Sequence, residues 1–160
     1  MRRRQASQNA RRAREFEAFV AGAAGRLLHA ATLLTAEPPD ANPRARALLT
    51  GALAHTYASW DRLRGEDPYD RARQQLAIRF LRAAWRMHRG HGGILARLSP
   101  QERLILVLRL YEGVAEEQTA ALLALPTERV SAVCARATAT VLHPPRGPAP
   151  SRALGEAAPS

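Results

Sequence analysis

Apolar residues recur along this chain at steps of three and four, the spacing that lines one face of a helix. Between Glu15 and Thr35 they fall at Phe16, Phe19, Val20, Leu27, Leu28, Ala31 and Leu34, with Gly22 and Gly25 weakening the middle. Glu37-Pro38-Pro39-Asp40 reads as a loop, and Asn42-Pro43 as the cap and first residue of a second helix. That helix carries Leu48, Leu49, Ala52, Leu53, Tyr57 and Trp60 as its stripe and ends near Arg64-Gly65. Asp67-Pro68 repeats the device for a third, which turns Ala72, Leu76, Phe80, Leu81, Ala84 and Trp85 inward. His88 to Gly93 is glycine-rich and is the one plausible domain boundary.

Beyond the break the punctuation is sharper. Ser99-Pro100-Gln101-Glu102 combines a capping serine, a first-turn proline and a glutamate three residues on, the signature of a capping box. Leu104, Val107, Leu108 and Tyr111 follow at helical spacing, and Gly113 is suited to end the helix. A short helix carries Ala115, Thr119, Leu122 and Leu123 on one side, with Glu116 and Glu117 near its positive end. Ala124-Leu125-Pro126 stops it, and a third helix from Thr127 buries Val130, Cys134, Ala137 and Val141. Short helix, tight turn and second helix make the layout of a helix-turn-helix, whose second helix enters the DNA major groove. The expected fold is all-α: an N-terminal three-helix domain over 15–89, a linker at 90–93 and a helix-turn-helix domain over 94–142. A basic disordered arm over 1–14 and a disordered Pro/Ala/Ser-rich tail over 143–160 flank them.

Three phrases carry a family resemblance: Leu98-Ser99-Pro100-Gln101-Glu102-Arg103, Val107-Leu108-Arg109-Leu110-Tyr111-Glu112-Gly113, and Glu117-Gln118-Thr119-Ala120-Ala121-Leu122-Leu123. Together they resemble the promoter-reading C-terminal domain of bacterial sigma factors, most closely the extracytoplasmic-function (ECF) class of actinobacterial type. Phe16 to Val20 with Leu27 to Thr35 looks like the opening helix of that class's N-terminal domain.

The resemblance implies a protein that binds core RNA polymerase and promoter DNA, with an anti-sigma factor as a further partner. It assigns base and phosphate contact to the recognition helix, here Thr127, Glu128, Arg129, Ser131, Ala132 and Arg136, with Arg129 and Arg136 the main contacts. Ser131 stands where the family carries a lysine, Ala124 where it carries the turn glycine and Pro126 where it carries a capping serine. It assigns the downstream promoter element to the third helix, here Arg79, Arg82, Trp85, Arg86 and Arg89. Trp85 itself is read as core, packed on Phe80 or Leu81, with stacking on an unpaired base as the functional alternative. Polymerase docking is assigned to the second helix, here Ala47, Leu48, Thr50, Gly51 and His55, with Arg46-Ala47 in place of the family's acidic pair. Two further readings are a degenerate sigma-like DNA-binding regulator that recruits polymerase weakly or not at all, and a partner-bound interaction module whose domains fold onto each other. The short break favours the latter packing, because extended it reaches only roughly 20 Å.

Charge sharpens the partner class. The basic residues number 24, all of them arginine, and the net charge is +10. Such a chain is drawn to polyanions in a salt-dependent way. Arg2, Arg3, Arg4, Arg11, Arg12 and Arg14 open the sequence with no acidic residue among them. The single Cys134 excludes an intrachain disulfide. No apolar run of membrane-spanning length and no signal peptide are read, so a cytoplasmic location is expected. His88 and His91 lack nearby cysteines or carboxylates to complete a metal set, and no Walker loop or nucleophile motif appears. No cofactor, metal or catalytic residue is expected.

Overall fold

The computed structural model describes residues 2–63 and 65–144. Within them the chain forms six α-helices: α1 (Arg2–Thr35), α2 (Pro43–Ala58), α3 (Pro68–Ala83), α4 (Pro100–Leu106), α5 (Glu116–Leu123) and α6 (Thr127–Leu142). No strand occurs among the described residues. Short 3₁₀ turns extend α2 and α3 at Trp60–Arg62 and Ala84–Arg86. A π-helical turn, Val107–Tyr111, continues α4.

One expectation about α1 is corrected. Residues 2–14 are helical instead of a disordered arm, and the helix runs unbroken through Gly22 and Gly25. By length and composition α1 is also apolar enough to cross a membrane. Its apolar face is used within the fold: Ala23, Leu27, Ala30, Ala31 and Leu34 are buried against α2, α3 and the C-terminal helices. The tail from residue 145 onward, expected to be disordered, lies outside the described residues.

All three expected cap positions hold, at Asn42, Asp67 and Ser99, but only the last two make a side-chain capping bond. Asp67 accepts from the Tyr69 amide at 2.9 Å, and Ser99 and Glu102 form the full capping box. Asn42 makes no side-chain cap; its amide donates to Thr32 Oγ1 at 2.9 Å and its oxygen accepts from Arg46 Nε. The buried Glu37 carboxylate does that work from five residues upstream of the cap position. It accepts from the Arg44 and Ala45 amides at 3.0 and 2.9 Å and from Thr35 Oγ1 at 2.8 Å. A carboxylate on the orphan amides of a helix N-terminus is doubly favoured, by hydrogen bonding and by the helix dipole.

The main core runs through both halves of the sequence. Ala31, Leu34, Leu48, Leu76 and Phe80 share one cluster with Leu95, Leu98, Leu104, Val107, Leu108 and Ala137. Segment 90–93, expected as a linker, is packed. The His91 and Gly93 amides both donate to the Ala36 carbonyl at 2.9 Å, closing the C-terminus of α1. A Cβ on Gly93 would lie 2.6–2.7 Å from the Ala36 and Glu37 backbone, so the contact itself demands glycine.

Two polar groups also join the halves. Arg103, fully buried, donates to the carbonyls of Leu98 (3.0 Å), Leu34 (2.8 Å) and Met87. Leu34 lies in the last turn of α1, where unpaired carbonyls carry the negative end of the dipole, so a cation without a carboxylate partner is accommodated there. Glu112, buried at the end of the π turn, accepts from the Tyr69 hydroxyl at 2.9 and 3.0 Å, with Arg26 and Arg73 each at 3.7 Å. Burial and then the Glu112 carboxylate push the Tyr69 phenol well above its ordinary range.

Candidate nucleic-acid interface

The C-terminal helices build an exposed helix-turn-helix. In the π turn the Glu112 amide bonds back five residues to the Val107 carbonyl at 2.9 Å, inserting one residue and turning Leu110 outward. Gly113, at φ 67°, then reverses the chain. After α5 the turn passes through Ala124 at φ 52°, a left-handed conformation that glycine adopts without strain and alanine does not. Pro126 supplies an extended N-cap with no side-chain acceptor, so α6 starts without the hydrogen bond a serine would offer.

α6 is held by Val130 and Val133, which pack with Ile105 and Ala120, and by Ala137 in the main core. Cys134 lies half-buried at the same seam. The opposite face is free: Glu128, Arg129, Ser131, Ala132 and Arg136 are exposed, and Thr127 is half-buried at the start of the helix. Arg129 enters no ion pair among the described residues, whereas Arg136 Nε lies 3.4 Å from Glu102 Oε1 of the capping box. Arg136 is thus held by α4, while the Arg129 guanidinium is unpaired near the N-terminal end of α6, the end that recognition helices in general present to a groove.

Residues 94–141 match the family model for sigma-70, region 4. No curated protein and no solved structure matches the chain. The matched segment begins at Ile94, directly after the packed 90–93 segment, and takes in α4, the π turn, α5 and nearly all of α6. Sigma-70 region 4 is a non-enzymatic transcription domain that binds promoter DNA and core RNA polymerase. The sigma resemblance of the C-terminal phrases is therefore upheld at the level of this region.

The residues singled out in the N-terminal half divide. Arg82 near the end of α3, Trp85 and Arg86 in its 3₁₀ turn and Arg89 in the bend beyond are all exposed. Trp85 is 71% exposed, which overturns its reading as core. The 3₁₀ turn after Ala83 tightens the winding and turns the indole out of the stripe set by Leu76 and Phe80, and the Arg86 guanidinium lies 5.0 Å from the ring centroid instead. Arg79 is apart from this group. Its guanidinium lies on Gly51, where an added Cβ would meet Nη1 at 2.7 Å, and its Nε is buried without a hydrogen-bond partner. Of the residues assigned to polymerase docking, Ala47, Thr50 and His55 are exposed on α2, Gly51 is covered by Arg79 and Leu48 belongs to the core.

Sequence reasoning passed over Arg103 and Glu112 as working parts. Both stand inside quoted motif phrases, and a charged residue within a helical apolar run (Arg103 between Leu98 and Leu104) is the signal that was there to find. His88 and His91 form no metal cluster, and none of three or more candidate ligands occurs among the described residues. Arg44 Nη1 lies 2.6 Å from His91 Nε2.

Proposed function

We propose that this protein is a sigma-like transcription initiation protein of the ECF class that reads promoter DNA through α6, with Arg129 and Arg136 as its principal contacts. It acts in the cytoplasm with core RNA polymerase, with an anti-sigma factor as a further partner. The observation that carries the reading is the free face of α6 within a segment matching sigma-70, region 4. A bidentate arginine–guanine contact supplies roughly 1–3 kcal/mol of discrimination, and Arg129 is unencumbered for one. Arg82, Trp85, Arg86 and Arg89 supply a second contact, for the downstream element, with an exposed indole able to stack on a base. Polymerase docking falls to the exposed Ala47, Thr50 and His55 of α2.

One observation favours a second reading. Arg103, Glu112 and Gly93 lock the α1–α3 half onto the α4–α6 half through a common core. A chain held in this closed form engages one promoter element at a time, as a DNA-binding regulator with weak polymerase recruitment would. Transcription in vitro with core polymerase across a promoter library, run beside duplex binding by fluorescence anisotropy, separates the two. Promoter-dependent transcript lost on Arg129→Ala supports the sigma-like protein; sequence-selective binding without transcript supports the regulator. Promoter binding unchanged in both Arg129→Ala and Arg136→Ala would remove α6 as the reading helix.

A further inference from the structure

The first four turns of α1 form a basic surface that the reading above leaves unused. Arg3, Ser7, Arg11 and Arg14 follow one another at steps of four, four and three, with Arg4 beside them, so they occupy a single face. The opposite face holds the helix to the body. Arg12 hydrogen-bonds the Tyr57 carbonyl and pairs with Asp61 at 3.1 Å, its guanidinium 4.5 Å from the Tyr57 ring centroid. Phe16 lies 4.8 Å from the Tyr57 ring and 5.2 Å from that of Trp60, and Phe19 lies 5.5 Å from Trp60. The basic face is therefore presented on a helix anchored at its base. Arg3, Arg4 and Arg14 are exposed and enter no ion pair among the described residues, and Arg11 meets only the exposed Glu15, at 2.7 Å.

We infer that Arg3, Arg4, Arg11 and Arg14 form a sequence-independent clamp for the phosphate backbone of duplex DNA, separate from the helix-turn-helix. Arg3 to Arg14 spans about 16 Å of helix at ~1.5 Å per residue. B-DNA offers one charge per ~1.7 Å of axis with both strands counted, so roughly nine phosphates fall within that length, enough for the four guanidiniums. The stripe is built from arginine, whose planar fork suits phosphate. A lipid surface fits less well, because residues 2–14 have no apolar face to enter a bilayer: Gln5, Gln8 and Asn9 accompany the arginines, and all three are exposed. The choice of DNA over RNA rests on the function proposed above; the charge stripe does not.

The test is the salt dependence of binding to a duplex of random sequence, and to a duplex selected from the promoter library, for the full chain and three variants. Arg3→Gln/Arg4→Gln/Arg14→Gln should make the plot of log affinity against log salt shallower by up to about 2.7 units, at ~0.9 per lost contact. Arg3→Lys/Arg4→Lys/Arg14→Lys should keep most of the parent's slope, showing that charge and not helix packing is read. Arg129→Ala/Arg136→Ala should retain the stripe's contribution while losing promoter preference. Far-UV circular dichroism checks that each variant keeps its helices. An unchanged slope in the Gln variant overturns the clamp. So does a Gln variant that binds DNA like the parent but no longer binds vesicles of anionic phospholipid, which would assign the stripe to a membrane surface. If the Gln variant flattens the slope while the α6 variant keeps full promoter preference, the clamp stands and the α6 reading falls.

Discussion

Arg103 Nη1 donates to the Leu34 carbonyl across 2.8 Å, joining the sigma-like segment to the end of α1, 69 residues earlier in the chain. With Leu98 and Met87 as its other acceptors, one buried guanidinium closes three backbone carbonyls from three parts of the fold. Arg103→Met keeps much of the volume and removes every donor. Stranding buried acceptors costs about 1–3 kcal/mol each, and relaxation and water entry will recover part, so a loss of roughly 3–5 kcal/mol is expected. Urea denaturation followed by circular dichroism measures it. A loss below about 1 kcal/mol would show that the three acceptors find other partners.

Tyr69 and Glu112 give the joint a pH dependence. The folded state raises the Tyr69 pKa, through burial first and then the adjacent carboxylate, so folded protein holds the phenolic proton more tightly than unfolded protein. Stability from this source is fully present at neutral pH and declines as pH rises above about 10, where an unconstrained phenol ionises. Tyr69→Phe should cost about 1–2 kcal/mol at neutral pH through the lost hydrogen bond. It should also flatten the alkaline decline, leaving a smaller slope from Tyr111, whose pKa burial also raises. Thermal melts from pH 7 to pH 11 are the measurement; parallel curves for parent and variant would contradict the assignment.

Gly93→Ala tests whether the 90–93 segment is packed or free. Its new Cβ would press on the Ala36 and Glu37 backbone at 2.6–2.7 Å, and backbone yields less readily than a side-chain end. A destabilisation of about 1–3 kcal/mol is expected, as for overpacking elsewhere. A free tether would tolerate the methyl group, and the melting temperature would then stay at the parent's value.

Ala124→Gly should act in the opposite direction. Ala124 is exposed and held at φ 52°, where the left-handed conformation costs an alanine roughly 1–2 kcal/mol. Glycine removes that strain but adds freedom to the unfolded chain, so a net gain of about 0.5–1 kcal/mol is anticipated. Equilibrium unfolding reads the sign directly, and an equal or lower stability would place the strain elsewhere in the turn.

Much of this protein follows from local rules. Helical periodicity located the helical segments, because a residue's side of a helix depends only on its spacing from its neighbours. Asp67-Pro68 and Ser99-Pro100-Gln101-Glu102 announced two helix starts, since a cap is made within a few residues of itself. The phrases from Leu98 to Leu123 carried the sigma resemblance for the same reason: they encode a local motif. Long-range features were not legible. Glu37, and not the Asn42 side chain, takes the first amides of α2, because the loop folds a carboxylate onto amides seven and eight residues ahead. Trp85 left the core because a 3₁₀ turn broke the period on which its assignment depended. Arg103 reads as a surface charge until α1 ends beside it with unpaired carbonyls, and the glycines at 90–93 read as a flexible tether until Ala36 lies against them. Burial, pairing and the closure of the two halves are set by which distant surfaces meet, and spacing along a chain carries no record of that.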